Sequence, residues 1–192
     1  MTTTPATSAA TSAATSATST WSIDPAHSAA EFKVKHMMIS NVRGKFSGIT
    51  GTLSLNEADG GASTVEATIP LATLTTGDEQ RDAHLKSADF FDAEKNPTLT
   101  FKSLKVAPTG AGELDVTGEL TMHGVTKVVT FAVEGPSAPG KDPWGNLRIG
   151  LSATTKINRK DFGLVWNAAL ETGGVLVGED IAITLDIQFI KA

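Results

Sequence analysis

From Trp21 onward the chain alternates apolar and polar residues with a period of two, in one short segment after another. Ala30, Phe32, Val34 and His36 alternate with Glu31, Lys33 and Lys35. Such a segment offers one apolar and one charged face, which suits a half-buried antiparallel strand. Residues 42–55 read as a long strand with a change of phase. Phe46 is even-numbered, Ile49, Leu53 and Leu55 are odd, and Gly48 at the change predicts a bulge or bend. Val65, Ala67 and Ile69 follow, ended by Pro70, and then Leu99 with Phe101. Leu114, Val116, Leu120 and Met122 form a fifth strand around Gly118; Val125, Val129, Phe131 and Val133 a sixth, with Lys127 interrupting its apolar face. Residues 147–157 and 181–189 complete the pattern. Asp59-Gly60-Gly61 and His123-Gly124 are turn signals, and Pro136, Pro139 and Pro143 mark a loop. About eight alternating strands in 192 residues predict one all-β domain, an antiparallel barrel or sandwich.

Two long excursions break the pattern. In residues 75–96, Asp78 or Thr76 can cap a helix running through Leu85, the Phe90-Phe91 pair follows, and Asn96-Pro97 stops the local structure. Residues 158–180 carry Phe162, Leu164, Trp166 and Leu170. Loops beyond roughly 12–15 residues are usually functional or disordered, and these aromatic side chains argue against disorder. A short helix with a Phe pair, set between strands of a closing barrel, covers an opening and lines it with apolar surface.

Residues 1–20 are, after the Met, only Thr, Ser, Ala, Pro and a final Thr, with Thr-Ser-Ala-Ala recurring. No apolar face offsets the entropy of ordering them, so a disordered tail is expected. They lack the basic start and apolar run of a secretion signal, and no stretch approaches a membrane helix; the expected location is cytoplasmic. A net charge of −5 argues against a nucleic-acid partner. The absence of Cys removes disulfides and thiolate metal sites.

The interior of an eight-stranded barrel is either filled by side chains or just wide enough for one small ligand. Ala30, Gly51, Ala67, Gly118 and Ala153 at inward positions leave room, whereas Phe32, Phe46, Phe101 and Phe131 can fill it. Taken alone, the residues leave both outcomes open.

Several motifs together carry a resemblance. Trp21-Ser22-Ile23-Asp24, His27-Ser28, Phe32-Lys33-Val34-Lys35-His36 and Val42-Arg43-Gly44-Lys45-Phe46 resemble the opening of YceI-like proteins. Arg81-Asp82-Ala83-His84-Leu85, Asp89-Phe90-Phe91-Asp92 and Asn96-Pro97 look like the central signature of that family. Gly118-Glu119-Leu120-Thr121-Met122-His123-Gly124-Val125-Thr126 looks like its hairpin, and Arg159-Lys160-Asp161-Phe162-Gly163 resembles a further motif. The resemblance runs from about Trp21 to Phe189. It implies a lipocalin-like barrel enclosing a polyisoprenoid or isoprenoid-quinone lipid. Many relatives carry secretion signals and are periplasmic; no such signal is read in residues 1–20, so that location is not expected here.

On this reading the candidate lipid contacts are Phe32, Val34, His36, Phe46, Leu85, Phe90, Phe91, Phe101, Leu120, Met122, Phe131, Phe162 and Trp166. Arg43, Arg81 and His84 are candidates to meet a polar head, since Arg matches phosphate in bidentate geometry. No cofactor is expected beyond the lipid itself, no transmembrane segment is expected, and a homodimer is compatible with the pattern. Two alternatives stand beside this one. A structural or interaction barrel would have a filled interior. An enzyme acting on isoprenoid-like substrates would need a catalytic or metal centre, for which only a convergence of His27, His36 and His84 offers itself. No nucleophile, metal or phosphate-loop motif marks one, so an enzyme is not expected.

Overall fold

The alternating segments become strands in the computed structural model, which describes residues 18–171 and 173–192. In chain order these are β1 (Thr18–Ile23), β2 (Ala29–His36), β3 (Ser40–Phe46), β4 (Thr50–Asn56), β5 (Thr64–Pro70), β6 (Thr98–Gly110), β7 (Glu113–Met122), β8 (Val125–Glu134), β9 (Gly140–Lys141), β10 (Leu147–Asn158) and β11 (Val177–Lys191). β1 and β2 lie end to end along one edge of β11, and β3 and β4 lie end to end beside them. Each pair therefore acts as one kinked strand. Antiparallel pairing runs through β5, β6, β7, β8 and β10, and β10 pairs with β11 from Arg148↔Ile190 to Asn158↔Asp180. The result is a closed antiparallel barrel of eight staves, with β9 a short addition beside β10.

The two kinks have local causes. Between β1 and β2, Asp24 accepts the Ala26 N–H at 2.9 Å through its side chain and the His27 N–H at 3.3 Å through its carbonyl, a turn that Pro25 favours. Between β3 and β4, Gly48 takes a φ of 66°, and the Ser47 N–H bonds to Thr73 Oγ1 at 3.2 Å. The phase change around Gly48 is thus a real break. The expected first strand, in contrast, begins too late: Thr18–Ile23 already pairs with β4 from Thr18↔Asn56 to Ser22↔Thr52. Thr18 to Thr20, read as tail, belong to the barrel because ladder bonds need only backbone and β-branched Thr suits them. The remainder of the expected disordered tail lies outside the described residues.

The two ends of the barrel differ. One end carries the β6–β7 turn, the segment joining β4 to β5, and the loop from β8 to β10. The other carries the β2–β3 turn, the His123-Gly124 turn and both long excursions. A 3-10 turn, Leu71–Thr73, leads into the first excursion, which holds one α-helix, α1 (Glu79–Lys86). Asp78 is the N-cap, accepting the Arg81 N–H at 2.9 Å. The second begins with a 3-10 turn, Arg159–Phe162, closed by Gly163 at a φ of 77°. There the seam opens: β8 and β10 pair only from Ser152↔Glu134 to Thr154↔Ala132, and the 3-10 turn packs beyond that point.

Candidate functional site

Odd-numbered side chains of β10 and β11 and their partners around the barrel point inward, so the pleat itself builds an apolar lining. They do not meet at the centre. A cavity of about 340 Å³ runs along the barrel, from Phe90 and Leu85 at the excursion end to Leu114, Val133 and Pro136 at the other. That volume lies in the range of small-molecule pockets. Its wall is almost wholly apolar, formed by side chains such as Phe46, Leu99, Leu120, Ile157, Ile183 and Ile187. Among the described residues no buried side-chain nitrogen or oxygen lacks a hydrogen-bond partner. An apolar cavity with no unmet polar group holds water poorly and hydrocarbon well.

The space is shaped by where the large rings go. Phe32 sits over Gly44, its partner on β3, and Phe101 over Gly118 on β7; a β-carbon on either glycine would stand 2.3 Å and 2.5 Å from the respective ring Cζ. These glycines let the rings hug the wall and leave the axis open. The expectation that Gly51 and Gly118 themselves leave room is therefore corrected. Gly118 is covered by Phe101, and a β-carbon on Gly51 would meet the Glu66 carbonyl oxygen at 2.1 Å. Ala30, Ala67 and Ala153 do face the cavity.

At the excursion end a second, more polar hollow adjoins the first. It shares Phe32, Val34, Leu85, Phe90 and Val177 with the cavity wall and adds His36, Arg81, His84 and Trp166. This is the mouth. Three rings close over it: His84 stands 5.1 Å from Phe90 and 4.7 Å from Trp166, both edge-on, and Phe90 and Trp166 are 5.2 Å apart. His84 Nε2 also lies 3.0 Å from Asp89 Oδ2. Phe91 turns the other way, edge-on to Phe46 at 6.3 Å.

The position of α1 is set by polar contacts, since the helix buries none of its residues. Arg81 Nε donates to Thr76 Oγ1 at 2.7 Å and Nη2 to the Thr76 carbonyl at 3.1 Å. Thr76 in turn donates to Asp82 Oδ1 from its hydroxyl and, at 2.7 Å, from its N–H. Burial works against the Asp82 carboxylate, but the Thr76 bonds outweigh it and leave its pKa below the ordinary value. The guanidinium of Arg81 is thereby held over the mouth.

Of the residues singled out in the sequence, Phe32, Val34, Phe46, Leu85, Phe90, Phe91, Phe101, Leu120, Met122 and Phe131 line the cavity, and His36, Arg81, His84 and Trp166 line the mouth. Two lie elsewhere. Phe162 is buried beneath the second excursion, where the Gly163 turn directs it into the packed core and its carbonyl lies 3.1 Å from His123 Nδ1. Arg43 is exposed on the outer face of β3, one residue out of phase with Val42 and Gly44. The three histidines do not converge: His27 pairs with Asp24 at 2.8 Å in the first kink, away from His36 and His84.

Arg159 was not singled out as a site residue. It is 2% exposed, touches the cavity, and donates to the carbonyls of Gly178 at 2.9 Å, Val177 at 3.4 Å and Leu164. Burial holds its pKa below the ordinary value. Its job is to tie the second excursion to the start of β11. The sequence signals were its place just after a strand whose apolar alternation ends at Ile157 and its position at the head of the Arg159-Lys160-Asp161-Phe162-Gly163 motif.

A family model described as YceI-like domain matches residues 21–189. A UPF0312 protein of Vibrio cholerae is 42% identical over 139 residues, which is 72% of this chain and 73% of that protein. The crystal structure of a Campylobacter jejuni YCEI protein is similar at 30% identity and a TM-score of 0.69, over 83% of this chain and 91% of that one. A polyisoprenoid binding domain from Saccharophagus degradans shares the fold at 17% identity and a TM-score of 0.64, over 90% of this chain and 98% of that one.

Proposed function

The chain belongs to the YceI-like family, and on that footing we propose that it binds a long isoprenoid lipid and carries or sequesters it inside the barrel. The observation that carries this reading is the apolar bore and, sharing its wall, a mouth lined by Arg81, His84 and His36. Each buried CH₂ contributes about 0.8 kcal/mol, so an elongated chain is held by enclosure alone. A branched, unsaturated chain suits a bore walled by flat rings and β-branched side chains. Arg81 and His84 supply donors to a phosphate or quinone oxygen at the rim, and the tail extends inward past Phe90 and Leu85. The binding-domain name of the Saccharophagus degradans structure supports the same reading. A structural barrel with a filled interior is disfavoured by the open bore.

Titration with a polyprenyl phosphate tests this. Trp166 stands at the mouth between His84 and Phe90, so binding is expected to change its fluorescence and raise the melting temperature. Neither signal moving at saturating lipid would refute the proposal.

A further inference from the structure

The turn between β2 and β3 is built against the habits of tight turns. Its residues are Met37, Met38 and Ile39, and the Ile39 N–H closes it by donating to the His36 carbonyl at 3.1 Å. Met37 and Met38 take φ values of 50° and 62°, a region that Gly and Asn enter cheaply and a long side chain does not. Packing does not compensate. Met37, Met38 and Ile39 are 40%, 58% and 79% exposed. Three consecutive exposed apolar residues at a loop tip add nothing to the barrel's own stability.

The outer faces behind the tip carry four cations and one carboxylate. Lys33 and Lys35 on β2 and Arg43 and Lys45 on β3 are exposed on the outer surface, with Lys33 directly opposite Arg43. The facing carboxylate is Glu31, opposite Lys45. Among the described residues none of the four cations has a carboxylate within 4.0 Å. A like-charge pair directly across a ladder is unfavourable for the sheet, and it stands out in a chain whose net charge is −5. The tip also borders the mouth. The Met37 N–H donates to the Leu176 carbonyl at 2.7 Å, and Leu176, Lys35 and His36 line the mouth hollow.

We propose that the β2–β3 hairpin is a membrane-docking element: the Met37-Met38-Ile39 tip enters the interface of a bilayer whose anionic headgroups are met by Lys33, Lys35, Arg43 and Lys45. An apolar tip backed by unpaired cations matches an anionic lipid surface in both chemistry and charge. Docked this way, the barrel sets its mouth against the bilayer, where a lipid passes between membrane and bore without crossing water. The docking surface stands on the hairpin's own geometry; its use for lipid transfer rests on the binding function proposed above.

Vesicle flotation of the full chain tests this, with phosphatidylcholine vesicles and with mixed phosphatidylcholine–phosphatidylglycerol vesicles. Association with the mixed vesicles is expected, weakening as salt rises. Lys33→Gln/Arg43→Gln and Met38→Asp/Ile39→Asp are each expected to weaken it at least about tenfold, with melting temperatures near wild type because all four side chains are exposed. Trp144→Ala, an exposed site at the far end, is expected to leave it unchanged. Native mass spectrometry of the same samples separates the two claims: lipid in the bore of the tip variants with vesicle binding lost supports docking, whereas an empty wild type that still floats refutes only the cavity reading. No association with mixed vesicles, or association indifferent to both hairpin variants, overturns the proposal. So does a dimer in light scattering that Met38→Asp/Ile39→Asp dissociates, since a second copy would then cover the tip.

Discussion

Phe32 and Gly44 are partners across the β2–β3 ladder, and the ring lies so close over the glycine that a β-carbon there would stand 2.3 Å from its Cζ. Together with Phe101 over Gly118, this pair keeps a large ring against the wall of the bore. With glycine beneath it, the ring rests on the wall. With any larger residue, the ring must shift from that place.

Gly44→Ala is therefore expected to destabilise the protein by about 1–3 kcal/mol, the range for overpacking, and to lower lipid occupancy as the ring enters the bore. Adding Phe32→Leu is expected to restore much of both. Urea midpoints and bound-lipid assays of the single and double variants check this.

Acid sensitivity is expected from the junction of the first kink with the β8–β10 loop. Arg148 bridges Asp24 and Asp142. Its hydrogen bond, against the opposing effect of burial, lowers Asp24 from 3.8 to about 2 and holds Asp142 below the ordinary carboxylate range. A depressed folded-state pKa contributes stability that is present above the unfolded value and is lost as pH falls through the folded one. The urea midpoint is thus expected to fall between about pH 4 and pH 2, and Arg148→Met to lower the midpoint at neutral pH and flatten that acid slope.

α1 is held by its cap and by Thr76, with no buried residue of its own. Asp78→Ala is expected to remove about 1 kcal/mol of local stability. Hydrogen exchange is expected to quicken over residues 76–92 while the strands keep their protection, and bound lipid is expected to leave faster.

Arg159 satisfies carbonyls on two segments at once. Arg159→Met leaves them buried without donors and is expected to destabilise the fold by about 2–4 kcal/mol. Thermal or urea unfolding measures it.

The eight staves were legible because period-two alternation survives wherever one face meets the bore and the other meets water. Even the break at Gly48 showed as a phase change. The first three residues of β1 were not legible, because Thr18 to Thr20 have the composition of the residues before them and join the sheet through backbone bonds. The cavity wall was largely legible, since inward strand positions follow from the alternation and the Phe90-Phe91 segment from its aromatic content. Whether the bore was open was not. That depends on Phe32 over Gly44 and Phe101 over Gly118, which are cross-strand relations that need the register. Phe162 and Arg43 lie away from the cavity and mouth because a turn and a single step of phase decided where each side chain points. Arg159 stood in a quoted motif, but its role was not legible because its partners are backbone carbonyls with no residue signature.

Native mass spectrometry of the intact protein, purified without detergent and exposed to polyprenyl phosphate, tests the hollow barrel most directly when wild type and Ala153→Phe are compared. Ala153 faces the bore from the middle of β10, so the added ring occupies the lipid's path. The wild type is expected to carry one lipid mass that is released on unfolding, and folded Ala153→Phe to carry little or none. A folded wild type that stays bare, or an Ala153→Phe variant that takes up lipid equally, would contradict it.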